Sequence, residues 1–235
     1  MPTLTRYDAD TSRPRLGEAL RDLALRAIAP AVALWAAIVG LGWVLVHPLA
    51  SFDRTETGVN RDLQAHRTST WDTVTMLWSH VGNTEYVIGV CLLAVAIIWW
   101  RTKKWFAVVP GIAISLQATV FVLATLVIGR PRPEVTHLDP APPTSSYPSG
   151  HVGASTALYA AFFLMAGRIE NAAVRTLVRV LCVLLPVLVL YARLYRGMHH
   201  LTDVAVGVVN GVVCALLAWF WLRRKARRVA ERTDV

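Results

Sequence analysis

His199 and Asp203 are the pair in this chain best suited to nucleophilic chemistry. They lie four positions apart, which puts both on one face of a helix. A carboxylate so placed accepts a hydrogen bond from one ring nitrogen, fixes the tautomer and makes the other nitrogen a better nucleophile. An interfacial histidine beside an aspartate that caps the following apolar run reads equally well from the same residues. Pro148-Ser149-Gly150-His151 opens another apolar run. The free N–H groups and positive end of a helix starting there suit an anion. Gly150 permits close backbone approach, Ser149 adds a hydroxyl donor, and His151 suits proton transfer to a leaving oxygen. An ordinary helix start has the same composition. Arg132 and Arg193 add guanidinium forks of the kind that grip phosphate oxygens. Arg196, and Arg130 on its own, read better as contacts to lipid headgroups at the interface.

These polar groups sit in a chain of 235 residues that is 55% hydrophobic and 17% charged. That is too little charge for a soluble domain of this length and fits a helical membrane protein. The formal net charge of +9 does not mark a nucleic-acid binder, because the basic residues gather at the ends of apolar runs. Nucleic acid is not an expected partner. Cys91, Cys182 and Cys214 fall inside apolar runs and read as small core or lipid-facing residues, neither a disulfide frame nor a metal set. No cleavable leader is evident, and the first apolar run is long enough to act as an uncleaved anchor.

The chemistry therefore has to be positioned by membrane helices. Apolar runs at about 27–46, 81–100, 105–129, 151–167, 177–192 and 204–222 predict six spans. Leu16, Leu20 and Leu23 recur at helical spacing in the basic segment before them, which suits a surface helix or a frayed tail. Trp71, Val74, Leu77, Trp78 and Val81 mark one face of an interfacial helix between spans one and two. The expected fold is all-α: a polytopic membrane protein, a six-transmembrane-helix bundle with that extracytoplasmic interfacial helix. Residues 1–26 form a basic cytoplasmic N-terminal segment, 27–222 the membrane domain and 223–235 a basic cytoplasmic tail. The absence of strand alternation excludes a sheet. With six spans, Arg101/Lys103/Lys104, Arg168/Arg175/Arg179 and the C-terminal cluster share one side. The positive-inside rule makes that side cytoplasmic, with both termini. The three polar islands then meet on the extracytoplasmic face.

Taken together, the islands resemble the motifs of the type-2 phosphatidic acid phosphatase superfamily of integral membrane lipid phosphatases. That family's first motif is Lys, six residues, then Arg-Pro, and Arg132-Pro133 matches its end. Pro-Ser-Gly-His is matched in full at 148–151. Ser-Arg, five residues, His, three residues, Asp is matched by Arg193, His199 and Asp203. Thr125 stands where the family has its Lys, and Ala192 where it has its Ser. The loss of the Lys removes one cation from the phosphate cradle, with Arg130 or Arg196 as auxiliary replacements.

The resemblance implies catalysis by His199 as a nucleophile forming a phosphohistidine, Asp203 orienting it, and His151 as acid and then base. Arg132, Arg193, Ser149 and Gly150 would hold the phosphoryl oxygens. It implies no cofactor and no metal, and Glu134 and Asp139 are too few carboxylates to hold one. The expected activity is hydrolysis of a lipid phosphate or diphosphate at the outer face of the cytoplasmic membrane. Undecaprenyl or another polyprenyl diphosphate is the first substrate, and phosphatidylglycerophosphate or phosphatidic acid the next. A phosphotransferase to a sugar or lipid acceptor, and a degenerate lipid-binding protein, are the alternatives.

Overall fold

The computed structural model describes residues 16–141 and 143–233. Most of the expected basic N-terminal segment, residues 1–15, lies outside them. Every regular element among the described residues is helical. Helix α1 (Leu16–Leu23) passes through a π-helical turn, Ala24–Ile28, into α2 (Ala29–Val46). Then come α3 (Phe52–Ala65), α4 (Ser69–Val81), α5 (Thr84–Thr102) and α6 (Val109–Val127). After a long loop follow α7 (Gly150–Met165), α8 (Ala172–Tyr195) and α9 (Leu201–Thr233).

The local sequence explains where these helices begin. The Thr68 hydroxyl accepts the Trp71 N–H at α4, and the Asn171 carboxamide accepts the Val174 N–H at α8. Pro30 and Pro110 sit in the first turns of α2 and α6, where a missing N–H costs nothing. Between them, long charge-poor stretches satisfy every backbone group internally, as a bilayer requires.

Among the described residues, five helical stretches are long and apolar enough to cross a membrane: Ala24–Val46, Thr84–Thr102, Phe106–Val127, Ala172–Tyr195 and Leu201–Phe220. The chain is a multi-pass membrane protein. The expected fourth span corresponds to α7, which has 16 residues and so rises about 24 Å, short of a hydrocarbon layer of about 30 Å. It is also the element at the centre, packed against α6, α8 and α9. Two helices, not one, separate the first two spans, because residues 52–65 fold as α3. The last helix continues past residue 222 to Thr233.

The closest packing is between α7 and α9. A Cβ on Gly211 would lie 2.6 Å from both the Gly153 carbonyl oxygen and the Thr156 Cβ, so glycine lets these backbones touch. The core divides along the bundle. Ile38, Leu45, Val120, Ala124 and Tyr147 pack at one end, Val109, Ala161, Ala215 and Trp219 at the other. The Arg168 guanidinium lies over Phe106 and Trp219 at that other end, with ring centroids 4.4 and 4.7 Å away. The three cysteines are buried and unbridged.

Candidate active site

The bundle topology brings the α6–α7 loop, the α8–α9 turn and the α4–α5 corner to one end. The α8–α9 turn depends on Gly197, whose φ of +75° is accessible to glycine. The Ser149 N–H donates to the Asp203 carbonyl over 3.0 Å, joining the starts of α7 and α9. A cavity of about 750 Å³ opens there, lined by His151, His199, Arg132, Arg193 and Gly150. Five residues picked out of the sequence thus share one hollow. One wall is apolar, built from Ile88, Ile114, Ala118, Phe121 and Val122.

His199 is 4% exposed. Its Nδ1 lies 2.7 Å from the Ser146 carbonyl oxygen. A carbonyl only accepts, so Nδ1 carries the hydrogen and Nε2 keeps its lone pair. This tautomer is the one a nucleophile needs, but its source differs from the expectation. Asp203 stands 3.9 Å from Nδ1, beyond a hydrogen bond. Its Oδ2 instead accepts the His200 N–H at 2.8 Å and faces His200 Nδ1 at 3.3 Å, while Oδ1 accepts from Arg130 at 2.6 Å. Asp203 shapes the turn and the field, and Ser146 holds the ring.

His151 Nε2 lies 2.8 Å from Asn83 Oδ1, across the cavity wall. With a carboxamide oxygen as its partner, that nitrogen carries a proton. The two imidazoles therefore arrive differently prepared, one with a free lone pair and one with an N–H held at the cavity.

The cations are prepared too. Arg132 Nη1 donates to the Met198 carbonyl at 2.7 Å, and Arg193 Nη1 donates to Ser79 Oγ at 2.9 Å and Asp139 Oδ2 at 2.7 Å. Arg132 Nε, Arg193 Nε and Ser149 Oγ are buried with no hydrogen-bond partner. Burying an unpartnered polar group costs about 1–3 kcal/mol; the two arginines line the cavity where an anion was expected, and Ser149 does not join that lining. Scattered groups such as Trp35 Nε1 and Arg179 Nε share this property elsewhere.

The auxiliary residues do not join the cavity lining. Arg130, expected at a headgroup or in the cradle, is 1% exposed and bound to Asp53, Glu56, Asp203 and Thr202. Burial works against its charge, but the three carboxylates outweigh that and raise its pKa. Arg196 is equally committed, to Asp139, the Asp72 carbonyl and Thr75. The Thr125 hydroxyl bonds the Val122 carbonyl on its own helix. Burial is also the main influence on Arg132, lowering its pKa, partly offset by Asp203.

Sequence reasoning missed several participants. Asn83 precedes an apolar run and reads there as a helix cap. His80 lines the cavity, as do Ser79 and Asp139. Glu56 and Asn60 sit in a polar stretch with no motif. Their spacing, one helical turn, was the only available signal.

The sequence pattern of the PAP2 superfamily matches residues 105–227. No curated protein matches the chain. Among solved structures, the fold is similar to a transmembrane PAP2-type phosphatidylglycerolphosphate phosphatase from Bacillus subtilis. That likeness has a TM-score of 0.70 at 20% identity and covers 81% of this chain and 94% of the other. Aquifex aeolicus LpxE is similar with a TM-score of 0.56 at 20% identity, covering 69% of this chain and 93% of that one.

Proposed function

The chain belongs to the PAP2 superfamily, and from that premise we propose that it is a metal-independent lipid phosphate phosphatase working through a phosphohistidine. The observation that carries this reading is that Arg132 and Arg193, each with a buried Nε lacking a hydrogen-bond partner, line one cavity together with two imidazoles. Phosphoryl oxygens supply the missing acceptors. The two guanidiniums offset charge as it develops at phosphorus, the role a metal plays elsewhere.

In the first step the Nε2 lone pair of His199 forms the P–N bond as the P–O bond to the lipid breaks. The leaving oxygen takes a proton from His151 in its doubly protonated form, which returns to the neutral ring as the alcohol departs. In the second step water attacks phosphorus, His151 accepts its proton, the P–N bond breaks and the pair returns to His199. Asp139 pairs with Arg193 and Arg196, so an incoming phosphate competes with this carboxylate.

The apolar wall suits a lipid tail, and Ile88 and Val122 at its edge are exposed on the outside of the bundle. Polyprenyl diphosphate, phosphatidylglycerophosphate and phosphatidic acid all fit this description, the second also by likeness to the Bacillus subtilis phosphatase. On this reading residues 27–222 form the phosphatase unit, α7 is a short sixth crossing, and α4 lies at the outer interface. Arg101, Lys103, Arg168 and Arg175 mark the cytoplasmic end, both termini lie there, and the site faces outward. Purified protein incubated with these lipids in excess chelator should release inorganic phosphate, and His199→Ala should reduce release to background. Turnover lost in chelator, or retained by His199→Ala, would sink the mechanism.

A further inference from the structure

We propose that Glu56 is a positioning residue for the nucleophile: a second carboxylate that fixes the start of α9 and supplies negative charge near His199. The inference rests on the phosphohistidine reading above and adds to it a residue outside the three motifs.

Helix α3 has its polarity reversed. The residues it buries are Glu56, Thr57 and Asn60. A glutamate 3% exposed needs partners, since a buried carboxylate is costly without them. Glu56 Oε1 accepts the Thr202 N–H at 2.6 Å, at the exposed start of α9. Oε2 accepts the Thr202 hydroxyl at 2.8 Å and Arg130 Nη2 at 2.6 Å. One turn along, Asn60 Nδ2 donates to the carbonyls of Leu194 at 2.9 Å and His199 at 3.2 Å. Helix α3 thus grips both sides of the turn that carries the nucleophile.

Charge supplies the second half of the argument. Asp53, Glu56 and Asp203 surround a single guanidinium, Arg130. The positive end of α9 compensates only part of that surplus. Arg132 and Arg193 line the cavity with His199, while Asp203, the member of the carboxylate cluster nearest the ring, lies 3.9 Å from its Nδ1. When Nε2 bonds phosphorus while Nδ1 keeps its hydrogen, the ring becomes positive. A surplus of carboxylate near it favours that state over the resting one.

The test uses full-length protein in detergent, with dioleoyl phosphatidic acid and farnesyl diphosphate as probes. Glu56→Gln keeps an oxygen for the Thr202 N–H but removes the charge. Its kcat should fall about tenfold or more while KM stays within about twofold, because the residue acts on the transition state and not on phosphate binding. Asp53→Asn, at a side chain 24% exposed, should lower kcat in the same sense by a smaller factor. A Glu56→Gln kcat equal to wild type, or a kcat loss matched by a rise in KM, would overturn the proposal. Should Glu56→Gln fail to show a thermal unfolding transition, Asp53→Asn decides alone, and an unchanged kcat there overturns it. His199→Ala runs alongside: activity in that variant would remove the underlying mechanism, which is a different failure.

Discussion

On the proposed mechanism His199 must be uncharged when substrate arrives, and its surroundings favour the neutral ring. Burial comes first, then the positive charges of Arg193 and Arg132, and together they hold its pKa well below the ordinary 6.5 against the pull of Asp203 and Ser146. The sign of the pH dependence follows. Below about 6.5 the unfolded chain takes up a proton that the folded one refuses, so stability rises with pH and is lost as pH falls through that value. The thermal midpoint of the wild type in detergent should drop between pH 7 and pH 5, and His199→Gln should drop less. Equal slopes would show that the ring is not held neutral. Asp139 adds to the same trend, but as a group kept charged. Burial would raise its pKa, but the Arg196 hydrogen bond and the Arg193 charge outweigh it and lower it, so it stays a carboxylate that phosphate must displace.

At the scale of elements, catalysis depends on how α7 is set against α9, since His151 opens one and His199 precedes the other. Their spacing is fixed by Gly153, Gly207 and Gly211. A side chain at 211 meets backbone, not the yielding end of a flexible neighbour. Gly211→Leu should therefore destabilise by about 1–3 kcal/mol or more. It should also lower kcat by separating the two imidazoles, although it lies three turns from the cavity. A variant with wild-type melting and turnover would show that the interface yields. Helix α3 teaches the converse. Its exposed face includes Val59, while its buried face carries Glu56 and Asn60, so hydropathy misassigns which side packs.

The whole molecule is asymmetric along its axis. One end carries the cavity and the polar helices α3 and α4, and the other carries Arg101, Lys103, Arg168 and Arg175. If the basic end is cytoplasmic, intact cells making the protein should release phosphate into the medium from a lipid phosphate added outside. Release that appears only after lysis would reverse the orientation. An outward site suits a substrate delivered in the outer leaflet, with its tail against the apolar wall and its phosphate at the Arg132–Arg193 cradle.

Sequence alone determined the class of molecule and supplied the reactive groups that the proposed mechanism uses. Uninterrupted apolar length dictates membrane helices because a bilayer offers backbone no other partner, and the three islands name His151, His199, Arg132 and Arg193 by type and spacing. Tertiary structure decided the partners. Whether Asp203 meets His199 or His200 turns on about 0.6 Å at a helix start, given distances of 3.9 and 3.3 Å, and i,i+4 spacing cannot resolve that. Ser146, Asn83 and Glu56 come from segments 53, 68 and 146 positions away from the residues they hold. Arg130 left the cradle for the same reason: a guanidinium goes to the carboxylates that packing brings nearest, and only the fold says which those are.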